Sequence, residues 1–224
     1  MAPRKKLHLT TFGCQMNVDD SQRLAWLLAG RGFEPATEAK SADLIVINTC
    51  SVRAKAEQKA CSLLGRLKRL KAARPGLIIV LAGCLAQQEG RRLLKRFSHL
   101  DAVIGTGALA RLPDLIARAK SGERMVDIGL DRELPGPLES APEGVGVRSQ
   151  VTIMAGCNNF CAYCVVPYLR GRERSRPPAE ILAEVAAKVG AGAREINLLG
   201  QNVNSYHYGD WDFVRLLEAV SCIK

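Results

Sequence analysis

Short apolar runs alternate with amphipathic segments through the first 130 residues. Four runs, rich in Val, Ile and Leu, predict strands buried on both faces of a parallel sheet: residues 7–11, 44–47, 77–81 and 102–104. The segments between and after them have helical patterns: residues 21–29, 52–72, 86–97 and 112–120. Asp20 or Ser21 can cap the first helix, and Gly30 and Gly32 can end it. This alternation is typical of βαβ units, so we predict an α/β fold with an open, doubly wound parallel sheet.

A change of composition separates two parts of the chain. Residues 131–147 contain three prolines, three glycines and a surplus of acidic side chains, without a periodic apolar pattern, and this predicts a linker. Strands at 150–154 and 195–199 and helices at 178–189 and 213–223 are predicted beyond it. We therefore expect an amino-terminal domain over 1–130, a linker over 131–147 and a second α/β domain that begins at 148 and runs to 224.

Composition excludes several classes of protein. Apolar residues make up 47% of the 224 residues and charged residues 24%, which is ordinary for a globular protein and argues against disorder. No apolar run approaches the roughly 20 residues of a membrane span, and no secretory apolar stretch follows the basic start. We therefore expect a cytoplasmic protein, in which eight cysteines favour metal binding or catalysis over disulfide bonds.

The net charge of +10 is unevenly distributed. Residues 1–130 carry 22 Lys and Arg against 11 Asp and Glu, whereas residues 131–224 carry 10 against 11. A basic half indicates a polyanionic partner, usually a nucleic acid, although many basic surfaces are only solvated.

Three cysteines lie within eight residues of each other, at Cys157, Cys161 and Cys164. This C-x3-C-x2-C spacing lets one loop ligate three corners of a 4Fe–4S cluster, and it leaves the fourth iron open for another ligand. The alternatives are a zinc site completed by a distant His, or three structural thiols. Zinc loops more often use paired C-x2-C knuckles, so the spacing favours the cluster.

A second set of cysteines follows three of the predicted strands. Cys14, Cys50 and Cys84 each come just after a strand, and the carboxyl ends of parallel strands meet at one edge of a sheet. Helix N-termini after Cys50 and Cys84 would direct their positive ends toward an anionic group. The alternative is three buried, unreactive cysteines. The matching positions favour a second cluster.

Several motifs in order resemble the methylthiotransferases of the radical S-adenosylmethionine superfamily. They are TFGCQMN at 11–17, NTCSVR at 48–53, AGCLAQ at 82–87, GCNNFCAYCVVPYLRGR at 156–172 and LLGQNVNSY at 198–206. Residues 15–17 and 201–204 are similar to those of the branch of this family that acts on isopentenylated adenosine in tRNA. Another tRNA adenosine or a ribosomal protein remains an alternative substrate. A zinc-stabilised nucleic-acid-binding module without catalysis is the alternative from a different class.

The resemblance implies two 4Fe–4S clusters and S-adenosylmethionine as cofactors. Cys157, Cys161 and Cys164 would hold the cluster that cleaves S-adenosylmethionine, and the resulting radical would take hydrogen from carbon 2 of an adenine beside the anticodon. The cluster at Cys14, Cys50 and Cys84 would deliver the methylated sulfur. No general acid or base is needed, so no catalytic side chain is assigned. The implied partners are tRNA and an electron donor such as a flavodoxin-type protein.

Other residues are weaker candidates for binding. Tyr163 is expected near the adenine of S-adenosylmethionine, or else it is a packing aromatic. Gln201 and Asn202 follow a strand, so they either contact cofactor or substrate or cap the loop.

The candidates for binding tRNA are basic. Arg170 and Arg172, with Arg174 and Arg176, alternate and would project to one side of an extended segment, toward phosphates. The alternative is a solvated loop, or pairing with Glu173. Four basic residues at 91, 92, 95 and 96 follow Cys84 on a helix; they steer tRNA or form a plain charged face.

The resemblance also predicts that the chain is a fragment. A barrel that binds S-adenosylmethionine usually needs about six βα units, and roughly two are recognisable after residue 148. We therefore expect that this chain alone is inactive and that its incomplete sheet has an edge to be covered by a partner chain or by disorder.

Overall fold

A computed structural model describes residues 4–130 and 146–223 of the chain. The chain divides into two compact units, Met1–Arg132 and Glu133–Lys224. The predicted linker, apart from its last two residues, lies outside the described residues. Within the described part, no helix combines the length and the apolar character needed to cross a membrane.

The first unit, as far as the structure describes it, is built on six parallel strands. They are β1 (Lys5–Phe12), β2 (Phe33–Pro35), β3 (Leu44–Thr49), β4 (Ile78–Gly83), β5 (Ala102–Ile104) and β6 (Met125–Asp127), in the order β2-β1-β3-β4-β5-β6. The predicted doubly wound parallel sheet is therefore confirmed. The strand order reverses between β1 and β3, which makes the crevice at their carboxyl ends the switch point where such folds bind ligands.

Within residues 4–130, the helices that cover the two faces of this sheet are α1 (Gln15–Ala29), α2 (Ala54–Ala73), α3 (Cys84–Glu89), α4 (Arg91–Arg96) and α5 (Leu112–Ala119). Short 3-10 helices lie at Ala39–Ser41 and Leu109–Arg111. Apolar residues of α1 and α5 pack on one face, and those of α2, α3 and α4 pack on the other. Neighbouring residues of β3 thus enter different cores and are all buried, which explains its continuous apolar sequence.

Three predictions about the first unit are corrected. Helix α1 begins at Gln15 rather than residue 21, because the Asn17 side chain accepts the backbone N–H of Cys14 and closes an earlier turn. Asp20 and Ser21 therefore lie inside the helix and are not its caps. The helix predicted over 86–97 is two helices, divided at Gly90, whose backbone (φ +47°) does not continue α3. Strands β2 and β6 were not predicted, because Glu34 and Asp127 interrupt their short apolar sequences, whereas the equally short β5 is apolar throughout.

The described part of the second unit has three pairs of short strands, with helices packed around one small core. Its strands are β7 (Arg148–Thr152), β8 (Met154–Ala155), β9 (Arg174–Ser175), β10 (Glu195–Leu199), β11 (His207–Tyr208) and β12 (Trp211–Asp212). Its helices are α6 (Val166–Arg170), α7 (Pro178–Gly190) and α8 (Phe213–Ser221), with a 3-10 helix at Val203–Ser205. Strands β7 and β10 pair in parallel, as a βαβ unit requires, and α7 packs on them.

Buried charges cover one edge of β7. The amide of Ile153, just beyond β7, donates to Leu199, so the carbonyl groups of Gln150 and Thr152 point toward the opposite edge. Lys188 Nζ donates to the Gln150 carbonyl, and Arg176 Nη1 donates to that of Thr152 at 2.7 Å. Glu184 lies between the two cations, at 2.8 Å from each. At this edge the covering groups thus belong to the chain itself.

Tyr206 stabilises the same core in a way that depends on pH. Its side chain is buried and its hydroxyl donates to the carbonyl of Arg176 at 2.8 Å; burial raises the pKa of Tyr206 to about 12. An acid whose folded pKa is raised contributes stability that is complete below its unfolded pKa near 10 and is lost as the pH rises through 12. Tyr206→Phe removes the hydrogen bond to Arg176, so it should lower the free energy of unfolding by about 1 kcal/mol at neutral pH. The unaltered protein should lose about 2 to 3 kcal/mol of its free energy of unfolding as the pH rises from 9 to about 12, and this loss should be absent in Tyr206→Phe. Urea unfolding across this pH range measures both.

The control for this prediction is Tyr208→Phe, which alters an exposed tyrosine of the same unit. An alkaline unfolding profile that is the same for Tyr206→Phe and the unaltered protein would refute the assignment.

Candidate functional site

Three cysteines of the first unit follow neighbouring strands at the switch point. Phe12, Thr49 and Gly83 are aligned across β1, β3 and β4 and end these strands. Cys50 and Cys84 come one residue after this row, and Cys14 comes two residues after it. The structure therefore brings the backbones of all three predicted cluster ligands to one edge of the sheet.

The loops that carry these cysteines pack closely. A Cβ atom added to Gly13 would lie 2.7 Å from the Cβ of Cys50, and one added to Gly83 would lie 2.7 Å from the Thr49 carbonyl oxygen. Neither position has room for a side chain. The two glycines that precede Cys14 and Cys84 thus allow the cysteine loops to approach each other.

The surroundings of these thiols favour negative charge. Cys14 is the N-cap of α1, Cys84 is the first residue of α3, and α2 begins four residues after Cys50. Helix N-termini carry partial positive charge and free N–H groups. The amide of Val52 donates to Cys50 Sγ at 3.3 Å, and the Arg53 guanidinium donates to the Gly13 carbonyl at 3.0 Å. A group of three thiolates, or an anionic cluster bound to them, fits this environment.

The three thiols of this edge differ in exposure. Cys50 and Cys84 are buried and Cys14 is half-buried, and all three are free thiols. Within residues 4–130 and 146–223, no group of three or more His, Cys, Asp or Glu side chains is arranged to hold a metal ion. The structure therefore aligns the backbones of the three cysteines.

The cysteine loop of the second unit begins at a glycine with a positive φ angle. Gly156 has φ +82°, and a Cβ atom there would collide with the carbonyl oxygen of Arg172 and lie 2.6 Å from that of Gly171. The amide of Cys157 donates to the Gly171 carbonyl at 3.2 Å, and that of Gly156 donates to Gln201 Oε1. Only glycine fits at position 156, which directs the chain from β8 into the loop.

The three cysteines of this loop differ in exposure. Cys157 is buried, Cys164 is half-buried and Cys161 is exposed. The amide of Cys164 donates to the Cys161 carbonyl at 2.9 Å, which forms a turn, and the amide of Asn159 donates to Cys157 Sγ at 3.4 Å. The three cysteines thus lie within one short loop, with Cys157 at its buried end.

Aromatic residues of this loop are exposed. Tyr163, the residue expected near the adenine of S-adenosylmethionine, is 93% exposed. Phe160 and Tyr168 pack edge to face with ring centroids 5.9 Å apart, and the Arg172 guanidinium lies 5.8 Å from the Phe160 ring. The packing alternative for Tyr163 therefore finds no support, since its ring is not buried within the described part of the unit.

The polar candidates after β10 hold the loops. Gln201 accepts the amide of Gly156 and so links β10 to the start of the cysteine loop. The carbonyl of Asn202 accepts both the amide and the hydroxyl of Ser205. The Ser205 hydroxyl also donates to Glu173 Oε2 at 2.7 Å. Loop capping thus accounts for one contact of Gln201, whose oxygen reaches the residue before Cys157.

The four alternating arginines do not form the exposed row that we expected. Arg170 closes α6 and is buried, and Arg176 is buried beside Glu184. Arg172 is exposed and Arg174, in β9, is half-buried. The segment is not uniformly extended, because α6 and Gly171 (φ +76°) interrupt it. Arg172 is therefore the accessible member of the predicted tRNA-binding pair.

Two protein-family models match the chain. Residues 6–105 match uncharacterized protein family UPF0004, and residues 151–224 match the Radical SAM superfamily. A curated relative from Geotalea uraniireducens is 50% identical over 228 residues, which covers 100% of this chain and 52% of the relative. One from Syntrophobacter fumaroxidans is 54% identical over 211 residues, covering 93% and 46%. Both are named tRNA-2-methylthio-N(6)-dimethylallyladenosine synthase.

The chain belongs to the radical S-adenosylmethionine methylthiotransferase family. The resemblance expected from the motifs is thereby confirmed. The chain spans about half the length of the curated relatives it matches.

Solved radical S-adenosylmethionine enzymes share the fold of this methylthiotransferase-family chain. The methyltransferase TsrM from Kitasatospora setae matches with a TM-score of 0.60 at 15% identity, covering 89% of this chain and 48% of that one. The cobalamin-dependent enzyme OxsB matches with a TM-score of 0.61 at 12% identity, covering 97% and 36%. At these identities the likeness establishes the fold alone.

Two contributors to the site of this methylthiotransferase-family chain were not assigned a role from the sequence. Asn17 and Asn48 are fully buried and bonded to each other beside the amino-terminal cysteines. Both lie within the family motifs, but a motif does not reveal which side chains face each other across strands. The signal that could have found them is a polar residue close to a predicted ligand, at a position expected to be buried.

Proposed function

We propose that the full-length protein is a radical S-adenosylmethionine tRNA methylthiotransferase. It would add a methylthio group to carbon 2 of isopentenyladenosine next to the anticodon. The observation that carries this proposal is the placement of Cys14, Cys50 and Cys84 at one sheet edge, in a chain that also has a C-x3-C-x2-C loop. The names of relatives about 50% identical to the chain support the choice of substrate.

The residues of the second unit fit a 4Fe–4S cluster. Cys157, Cys161 and Cys164 supply three soft thiolate ligands from one loop, and such a set leaves one iron open for S-adenosylmethionine. When bound, the cluster and S-adenosylmethionine supply radical hydrogen abstraction. The exposed ring of Tyr163 is available to the adenine, while Gln201 holds the first turn of the loop; Asn202 is a further candidate for cofactor contact.

The residues of the first unit fit a second cluster by the same donor chemistry. Cys14, Cys50 and Cys84 would hold it, with helix N-termini and the N–H of Val52 compensating its negative charge. In the proposed reaction this site holds the sulfur to be transferred. Its position at the switch point suits a group that must meet a substrate from outside the unit.

A basic surface on α2 and α4 suits the phosphates of tRNA. Lys55, Lys59, Arg66 and Arg69 are exposed and lie on one side of α2 at helical spacing. The exposed residues Arg91, Arg92, Lys95 and Arg96 lie on α4, which packs on the same face of the sheet. The exposed Arg172 is a further candidate for phosphate contact beside the cysteine loop of the second unit, whereas the buried Arg170 is not. We further propose a flavodoxin-type electron donor and a cytoplasmic location.

The test is turnover by the full-length protein. The protein would be purified and reconstituted without oxygen, then incubated with S-adenosylmethionine, sulfide, a reductant and tRNA, and the nucleosides analysed by mass spectrometry. We expect a methylthio mass gain on isopentenyladenosine and none on otherwise identical tRNA that lacks the isopentenyl group. A colourless, zinc-loaded protein, or equal modification of both tRNAs, would contradict the proposal.

A further inference from the structure

We propose that Asn17 and Asn48 form a positioning pair, which sets the geometry of all three amino-terminal cysteines for cluster binding. The proposal deepens the proposed function and rests on it. Both side chains are 0% exposed, although each carries an amide that is costly to bury without hydrogen bonds. They lie where β1, β3 and α1 meet, directly behind the cysteine loops.

Asn17 holds Cys14. Its Oδ1 atom accepts the backbone N–H of Cys14 at 3.3 Å and lies 3.3 Å from Cys14 Sγ, which donates to it in the thiol form. A Cβ atom at Gly13 would collide with the same oxygen. The side chain therefore fixes the backbone on both sides of the Gly13–Cys14 peptide, and this contact persists when Cys14 loses its thiol proton.

Asn48 extends this control to the other two cysteines. A Cβ atom at Gly83, the residue before Cys84, would collide with Asn48 Oδ1. Cys50 follows Asn48 by two residues, and its amide donates to the Phe12 carbonyl at 2.9 Å. The two asparagine side chains thus pack against the loops that carry Cys14 and Cys84. Asn48 itself lies in β3, the strand that leads to Cys50.

The donors and acceptors of the pair allow one orientation. Asn48 Nδ2 donates to the Asn17 carbonyl at 2.9 Å and to Ser21 Oγ at 3.0 Å, and a carbonyl can only accept. Asn48 Oδ1 must therefore face Asn17, where it accepts Nδ2 at 3.3 Å. Asn17 Oδ1 is consequently directed at Cys14. The orientation of the group that touches the ligand is set by a backbone carbonyl, and Thr11 supports it by donating to Ser21 at 2.7 Å.

Residues that orient metal ligands commonly change metal affinity by about 10- to 100-fold when they are replaced. A role in sheet packing alone would lower stability without a specific change in metal retention. The retention of iron, compared with the stability of the same variant, therefore separates the two roles.

The experiment isolates the amino-terminal cluster. The full-length protein would carry Cys157→Ala, Cys161→Ala and Cys164→Ala, so that bound iron reports on Cys14, Cys50 and Cys84. The added variants are Asn17→Ala, Asn17→Asp and Asn48→Ala. The matched control is Asn197→Ala, because the Asn197 side chain donates to Glu195 at the exposed side of β10, in the other unit. Iron and sulfide per chain, the rate of iron loss to a chelator, and the circular dichroism spectrum would be measured for each.

We expect iron to be lost about tenfold faster or more from Asn17→Ala and Asn48→Ala than from the control. Asn17→Asp keeps an acceptor for Cys14 but no donor for Asn48, so its rate should be intermediate. Folded variants that keep iron as well as the control would overturn the positioning role. If Asn17→Ala or Asn48→Ala fails to fold, the rate for Asn17→Asp decides. A background protein with unaltered asparagines that binds no iron would instead refute the proposed function.

Discussion

The full-length protein should lose all methylthiolation when Cys157, Cys161 and Cys164 are replaced together by alanine, and it should keep about half of its iron. These three thiols are the candidate ligands in the cysteine loop of the second unit, whereas Cys14, Cys50 and Cys84 lie in the first unit. Without a cluster that has an open iron, S-adenosylmethionine is neither held nor cleaved. We expect both the modified nucleoside and 5′-deoxyadenosine to fall below detection.

The measurement is iron and acid-labile sulfide per chain, together with mass spectrometry of the nucleosides. The matched control is Cys61→Ala with Cys222→Ala. Cys61 packs within α2, where burial raises the pKa of its thiol, and Cys222 is exposed after α8. The control protein should keep the full iron content and its activity. Residual cleavage of S-adenosylmethionine by the triple variant, or complete loss of its iron, would show that the assignment of ligands is wrong.

Glu184→Gln should destabilise the second unit by about 3 to 5 kcal/mol, measured as the free energy of urea-induced unfolding. Glu184 lies 2.8 Å from both Arg176 and Lys188, and the three side chains are each 1% exposed. Removal of its charge leaves two buried cations without their shared carboxylate, and desolvation of charge is costly. The same change weakens the groups that cover the carbonyls of β7.

Glu180→Gln on the same helix is the matched control. Glu180 is 33% exposed and lies 3.8 Å from the same arginine, so the loss of its charge should cost about 1 kcal/mol or less. Equal losses of stability in the two variants would show that burial of the charges does not determine their contribution.

Much of the fold was predictable because its signals are local. The runs that became β3, β4 and β5 are apolar throughout, which is required of strands covered on both faces, whereas the run that became β1 mixes Leu with His and Thr. Each of the four was placed correctly to within two residues at either end. The start of α1 was misplaced, since its first turn is stabilised by Asn17 and Cys14 rather than by a conventional cap. The spacing of the cysteines likewise pointed to two ligand sets without reference to any contact.

The sequence by itself determined the alternation of strands and helices. It also determined the placement of six cysteines, three after strands and three within one loop. The tertiary structure decided which strands are neighbours, so that Asn17 faces Asn48 and Gly83 has no room for a side chain. It also decided that Arg176 is buried while Arg172 is exposed. Periodicity reports the two faces of an element, whereas partners across elements depend on how the crossovers pack, and that information is distributed over residues far apart in the chain.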